Sequence, residues 1–193
     1  MNPILKKFSK YLSKLLYGQS ETVVEFNSRT DEVEGHHYLI CRAIVPDIPE
    51  MLAIEKAVYQ GKTPWDFETF KQELSRRKTT LYLVARHEDD LVGFAGIDLK
   101  RADGEAHITN IAVSPSHQKR GLGSKLLRML IECARKQGCQ KVILEVKASN
   151  DSAQKIYQEL GFKMLARKKN YYEDEQEDAL TMRLDLIPQG RGI

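Results

Sequence analysis

No stretch of the 193-residue chain stays apolar for the ~20 positions a membrane-spanning helix needs, so no segment reads as a bilayer span. Cysteine is scarce. Cys41, Cys133 and Cys139 lie at no metal or redox spacing, and an odd count without a CxxC pair points to reduced thiols and a cytoplasmic protein. Histidine is scarce too. His36, His37, His87, His107 and His117 form no ligand ladder, so all five are read as structural or surface residues and no metal is expected. With 12 glycines and 6 prolines the chain is neither low-complexity nor collagen-like. Neither sign of charge prevails: 30 Lys and Arg against 27 Asp and Glu leave +3, which gives no ground for direct nucleic-acid contact. What is present is an ordinary globular composition, 41% hydrophobic.

The first 18 residues lack acids altogether. They carry Lys6, Lys7, Lys10 and Lys14 opposite a stripe of Ile4, Leu5, Phe8, Leu12, Leu15 and Leu16 at helical spacing, with Gly18 as a stop. Lysines interrupt the apolar residues and no small-residue cleavage site follows, so this is not a signal peptide. Two uses fit: a peripheral contact with an anionic membrane or a partner, or docking on the chain's own domain. Residues 19–37 hold five acids and one arginine and read as a linker. Residues 1–37 therefore form an N-terminal helix and acidic linker, and residues 38–193 the compact domain.

Within that domain strands are expected over 38–45, 79–87, 91–100, 105–113, 141–147, 162–169 and 177–186. Helices are expected from the Pro46–Pro49 region to about Tyr59, from Asp66 as N-cap to Arg76, over 121–136, and over 151–160 with Gly161 just beyond. That order makes an α/β (α+β) fold, a mixed sheet with helices on both faces.

The most informative stretch runs from Ile108 to Leu127. A strand ends at Pro115, crosses a short polar loop and becomes a helix at Gly121. Such a turn points free backbone N–H groups outward at a positive helix end, and glycines let a ligand come close. Lys119 and Arg120 add charge, so pyrophosphate is the natural guest. A Walker A loop lacks its spacing here, and GxGxxG fails because Gly121-Leu122-Gly123 is followed by Ser124, Lys125 and Leu126. The pattern that fits is [QR]xxGxG, from Gln118 to Gly123.

On these residues the chain resembles the GNAT acetyltransferases, which hold the pyrophosphate of acetyl-CoA on this turn. The resemblance implies the GNAT fold: a mostly antiparallel sheet of about seven strands, splayed between its central strands. It also implies that Ile111, Ala112 and Val113 bind the pantetheine arm through their backbone, and that Gln118, Lys119, Arg120, Gly121, Leu122, Gly123 and Ser124 wrap the phosphates. The stretches TPWDFETFKQEL (63–74), EAHITNIAVSP (105–115), LEVKASNDSAQKIYQELGF (144–162) and NYYEDEQEDALTM (170–182) are similar to the RimI-type branch, which acetylates the N-terminal alanine of a small-subunit ribosomal protein. The likeness spans about residues 38–186. Asp66, Lys147 and Ile156 depart from that branch's usual Ser, Arg and Leu.

The same resemblance implies Glu145 as general base, Tyr157 as general acid and Asn150 as an acetyl-CoA contact. Read from pattern alone, Glu145 shares a strand face with Ile143 and Lys147, and is either a working carboxylate or one on a partly solvated face. Tyr157 lies on the inward stripe of its helix and reads equally as core, while Asn150 reads equally as a helix cap. Glu105 is the other acid near the fork of the sheet, and it either holds a water or the substrate amine or simply begins a strand.

The chemistry implied is direct transfer of acetyl from thioester to amine in a ternary complex, since no Cys or Ser lies in a nucleophile motif. Glu173, Asp174, Glu175, Glu177 and Asp178 form an acidic run suited to a basic protein or peptide N-terminus, such as a ribosomal protein's. Tyr171 or Tyr172 would wall the peptide slot. A monomer is expected. Other acceptors (lysine, polyamine, drug amine) and a non-catalytic acetyl-CoA-binding module stay open at this point.

Overall fold

The computed structural model describes residues 23–172 and 176–186. The expected leading helix lies outside them, as do Glu173, Asp174 and Glu175 of the acidic run. The strands are β1 (Arg29–Val33), β2 (His36–Arg42), β3 (Thr80–His87), β4 (Asp90–Lys100), β5 (Glu105–Val113), β6 (Lys141–Lys147), β7 (Lys163–Tyr172) and β8 (Glu177–Asp185). The helices are α1 (Ile48–Val58), α2 (Phe67–Ser75), α3 (Leu122–Lys136) and α4 (Asp151–Glu159). One sheet results, in the order β1-β2-β3-β4-β5-β6-β8-β7.

The eighth strand is β1, inside the stretch read as an acidic linker. It pairs with β2 from Arg29↔Ile40 to Val33↔His36, through a two-residue turn at Glu34 and Gly35, both at positive φ (48° and 79°). That is the turn geometry whose twist matches a hairpin. Val24 is fully buried. Its N–H donates to the Arg77 carbonyl at 2.9 Å, and its own carbonyl accepts from the Arg42 guanidinium. The folded unit therefore begins well before Tyr38, and the linker reading of residues 23–37 is corrected.

α3 and α4 cover one face of the sheet. Leu126, Leu127, Leu130 and Ala134 pack with Leu83, Ile97, Ile108, Val142 and Leu144. α1 and α2 cover the other, where Ile48, Met51, Ile54 and Phe70 meet Tyr82, Val84, Phe94 and Ala112. Asp66 caps α2, its Oδ1 accepting from the Thr69 N–H at 2.8 Å.

Two irregularities at the centre prepare the site. β5 and β6 run parallel but pair only from Glu105↔Lys141 to His107↔Ile143. Beyond that β6 keeps company with β8 alone, so β5 from Ile108 to Val113 carries no strand on that edge. This is the splay. β5 also bulges: Gly96 faces Asn110 while Ile97 faces Ile108, leaving Thr109 as the extra residue. Glycine is required opposite, because a Cβ at Gly96 would lie 2.2 Å from the Tyr82 ring. The Tyr82 hydroxyl and Thr109 Oγ1, 2.7 Å apart, pin the bulge toward α1 and α2.

Candidate active site

The loop after β5 ends in a left-handed residue, Gly121 at φ 71°, which turns the chain straight into α3. Leu122, 1% exposed, anchors the helix start in the core. The first N–H groups of a helix have no partner within it, so those of Leu122, Gly123 and Ser124 are available to an anion. Lys119, itself at φ 58°, is exposed beside them. Gln118 folds back, its Nε2 donating to the Val113 carbonyl at 3.0 Å, which ties the loop to the open strand. These features fit a pyrophosphate. Ile111 and Val113 pack against the α3 side while Ala112 is buried on the other, so the bare edge of β5 runs directly into the anion turn.

The β1–β2 hairpin braces this turn from outside. A Cβ at Gly121 would lie 3.3 Å from Val33 and 3.6 Å from the Glu34 carboxylate. Arg120 donates to His36 Nε2 at 3.1 Å. The rings of His36 and His87 lie 5.7 Å apart and those of His87 and His117 5.1 Å, and the Tyr38 hydroxyl meets His117 Nδ1 at 3.1 Å. Burial first, then Arg120 and the other two histidines, lower the His117 pKa.

Glu145 lies past the fork, on β6. Its Oε2 accepts from His107 Nε2 at 2.5 Å and its Oε1 from Lys168 Nζ at 2.8 Å. The His107 hydrogen bond is the larger cause that holds its pKa down at about 2, against the effect of burial, with Lys168 adding to it. The Lys168 pKa is raised in return. His107 thus has a partner in Glu145. Parallel β5 and β6 place it diagonally across from Glu145, a neighbour relation that only the strand pairing reveals. Glu105 stays at the closed end of the fork, paired with Lys141 at 3.1 Å and, more loosely, with Lys100 at 4.0 Å.

Tyr157 on α4 is 7% exposed and packs edge-on to Phe162 at 6.0 Å. Burial, with Tyr59 and Tyr172 nearby, raises its pKa far above the ordinary phenol range. Asn150 caps α4, Oδ1 accepting from the Ala153 N–H at 3.0 Å, so its side chain already has a structural task. Tyr171 is exposed and Tyr172 half-buried, the rings 5.2 Å apart, with Lys168 over the first and Lys147 over the second. Two acids of the run are used internally: Glu177 accepts from the Ser149 N–H at 2.9 Å, and Asp178 pairs with Arg167 at 2.6 Å.

A further acid, absent from the sequence reading, lies on α1. Glu55 is 1% exposed, and burial raises its pKa to about 7 although the Trp65 backbone and the Asn110 side chain act against the rise. Its helical spacing, one turn before Tyr59, resembles that of any solvent-facing glutamate, so nothing local marked it. Among the described residues no group of three or more His, Cys, Asp or Glu is arranged to hold a metal ion, and no helix is long and apolar enough to cross a membrane.

Comparison with known proteins agrees with this geometry. The family model described as Acetyltransferase (GNAT) family matches residues 48–162. The chain is 37% identical over 142 residues to the ribosomal protein bS18-alanine N-acetyltransferase of Salmonella typhimurium, covering 72% of this chain and 92% of that one. It is 35% identical over 141 residues to the N-alpha-acetyltransferase RimI of Mycobacterium tuberculosis, covering 72% and 87%. The crystal structure of the ribosomal-protein-S18-alanine N-acetyltransferase from Escherichia coli superposes with a TM-score of 0.70 at 32% identity, over 81% of this chain and 98% of that one.

Proposed function

Because this chain belongs to the GNAT family of acetyltransferases, we propose that it acetylates the N-terminal α-amine of a protein, with the alanine terminus of a small-subunit ribosomal protein as its acceptor. Acetyl-CoA is the acetyl donor, as throughout the family. The single observation that carries this function is the left-handed Gly121 turn at the start of α3, set against the unpartnered edge of β5. The acceptor class rests on the relatives that carry that activity in their names.

In this mechanism the backbone of Ile111, Ala112 and Val113 aligns the pantetheine arm as an added strand would. Gln118, Lys119, Arg120, Gly121, Leu122, Gly123 and Ser124 hold the phosphates, and Asn150 closes the far side. When bound, the thioester supplies an activated acetyl carbonyl. A backbone N–H on the open β5 edge meets the carbonyl oxygen as charge builds on it. The α-amine, with an ordinary pKa of ~7.7–8.0, must lose a proton before its nitrogen attacks. Tyr157, protonated at any working pH, donates to the departing sulfur. The second proton leaving the nitrogen restores the Tyr157 hydroxyl, so one proton in all is released.

Glu145 is ionised at every physiological pH and attracts the incoming ammonium. With both oxygens engaged it accepts a proton only through a relayed water or after Lys168 withdraws. Every group named lies on one chain, so a monomer suffices. The test is the mass of the small-subunit ribosomal proteins in cells with and without this gene. One of them should lose a single acetyl group at its N-terminus when the enzyme is absent. Unchanged masses across the set would contradict the ribosomal acceptor.

A further inference from the structure

The two oxygens of Glu145 are held in unequal ways. His107 occupies the last rung of the β5–β6 pairing, opposite Ile143, and Glu145 stands two residues beyond Ile143 on the same strand face. The His107 Nε2–H donates to Glu145 Oε2 at 2.5 Å, so this bond crosses the seam just where the backbone ladder has ended. On its other edge β5 is paired with β4, where Asp98 lies directly opposite His107. Asp98 is engaged by Arg76 at 3.1 Å, and Glu105, two residues before His107, by Lys141 at 3.1 Å. These neighbours are committed elsewhere, and Glu145 is the carboxylate that the ring holds. Oε1 has a looser partner. Lys168 Nζ reaches it at 2.8 Å from β7, the outermost strand, on a side chain 45% exposed against 11% for Glu145. The same ammonium lies 5.0 Å over the Tyr171 ring, which offers it a resting place away from Oε1.

We propose that His107 is the positioning residue for Glu145: it fixes Oε2 across the seam and leaves Oε1, which Lys168 holds, as the oxygen that receives the acceptor's proton. A lysine ammonium and an α-ammonium are the same kind of N–H donor, so the acceptor's group takes the place of Lys168 on Oε1. In the step, an N–H bond of the α-ammonium breaks and an O–H bond forms at Oε1. The freed lone pair forms the C–N bond to the acetyl carbon, the C–S bond breaks, and the sulfur takes its proton from Tyr157. The second proton leaving the nitrogen restores Tyr157, and Glu145 returns its own to water. Throughout, Oε2 keeps its bond to His107. An ionised carboxylate can only accept, so the ring hydrogen that meets it is on Nε2. Without that anchor the carboxylate would swing with Lys168 and have to be aimed again at each turnover, and a misplacement of about 1 Å costs about 10²-fold in rate.

This assignment rests on the acetyltransferase reading above, and the experiment separates the two. Steady-state rates with acetyl-CoA and a peptide bearing a free N-terminal alanine are measured for wild type, His107→Met, His107→Gln, Glu145→Gln and the double variant carrying His107→Met with Glu145→Gln. His107→Met should lower kcat about 10²-fold and leave the KM for acetyl-CoA within about twofold. His107→Gln, whose amide can donate to Oε2, should recover to within about fivefold of wild type. In the Glu145→Gln background, His107→Met should cost less than about threefold more, because a residue that acts through Glu145 then has nothing left to position. Costs that multiply in the double variant, or a Gln variant as slow as the Met variant, overturn the assignment. A measurement on the wild type needs neither turnover nor the folding of any variant: nitrogen NMR of the His107 ring at neutral pH should show hydrogen on Nε2. A ring bare at Nε2 overturns the assignment by itself. A wild-type enzyme that acetylates no α-amine, with hydrogen on Nε2 all the same, overturns the acetyltransferase reading instead.

Discussion

Glu145 lies on β6 and Glu55 on α1, and their surroundings drive their proton affinities apart. The first is held near 2 by His107 and Lys168, the second pushed to about 7 by burial. The two make opposite contributions to stability. Glu145 has a folded pKa below its ordinary 4.5, so its contribution is complete above about pH 4.5 and disappears as pH falls toward 2. Lys168→Met removes one partner and should shift the acid unfolding midpoint, followed by circular dichroism, to higher pH. A midpoint unchanged from wild type would show that the pair contributes nothing. Glu55 has a folded pKa above its ordinary 4.5, so its protonated form favours folding below about pH 4.5 and that advantage is lost as pH rises through 7. Glu55→Gln should therefore melt at the wild-type temperature at pH 4.5 and several degrees higher at pH 8, with up to about 3 kcal/mol at stake. Equal melting at both values would mean that the buried carboxyl is not destabilised by ionisation. Neither the His107–Glu145 pair nor the Glu55–Asn110 pair was legible in the sequence. Each joins distant segments through the pairing of β5 with β6 or the packing of α1 on the sheet, and a histidine, an asparagine and a helical glutamate carry no local signature of such a partner.

At the scale of elements more was legible, for a physical reason. β5, the Gln118–Gly123 turn and α3 are consecutive, so the order strand, glycine turn, amphipathic helix is written along the chain and could be read directly. α2 begins at its predicted cap, Asp66, because the capping contact spans only three residues. β1 escaped notice because RTDEV holds a single large apolar residue, and charged edge strands look like linkers. Its acids are used: Asp31 accepts from Lys125 of α3 at 2.7 Å. Two outcomes follow for these elements. A truncated chain lacking residues 1–22 should retain turnover within a few-fold, whereas one lacking 1–37 also loses β1, Val24 and the brace on Gly121, and should melt markedly lower. Equal stability of the two truncations would return residues 23–37 to the status of a linker. The α3 turn is tested by Gly123→Val. A Cβ there meets only Val113 and Ile111 side chains at 3.7 and 3.8 Å, so the fold should tolerate it while the space between helix start and open strand fills. The KM for acetyl-CoA should rise more than tenfold in a folded variant, and an unchanged KM would mean that the turn does not hold the donor.

The described residues form one sheet with an apolar layer on each face, opened at the seam between β5 and β6. The α3–α4 layer and the α1–α2 layer flank this seam, and the open edge of β5 borders it. Under the proposed function donor and acceptor meet at this seam, and the acetyl group passes directly between them with no acetylated enzyme. The measurement that bears on this most directly uses the purified full-length chain, acetyl-CoA and a basic peptide carrying both a free N-terminal alanine and an internal lysine, with the modified nitrogen located by fragmentation mass spectrometry. The account predicts a single acetyl group on the α-nitrogen and none on the lysine. Acetyl found on the lysine alone, or on neither nitrogen, would contradict it.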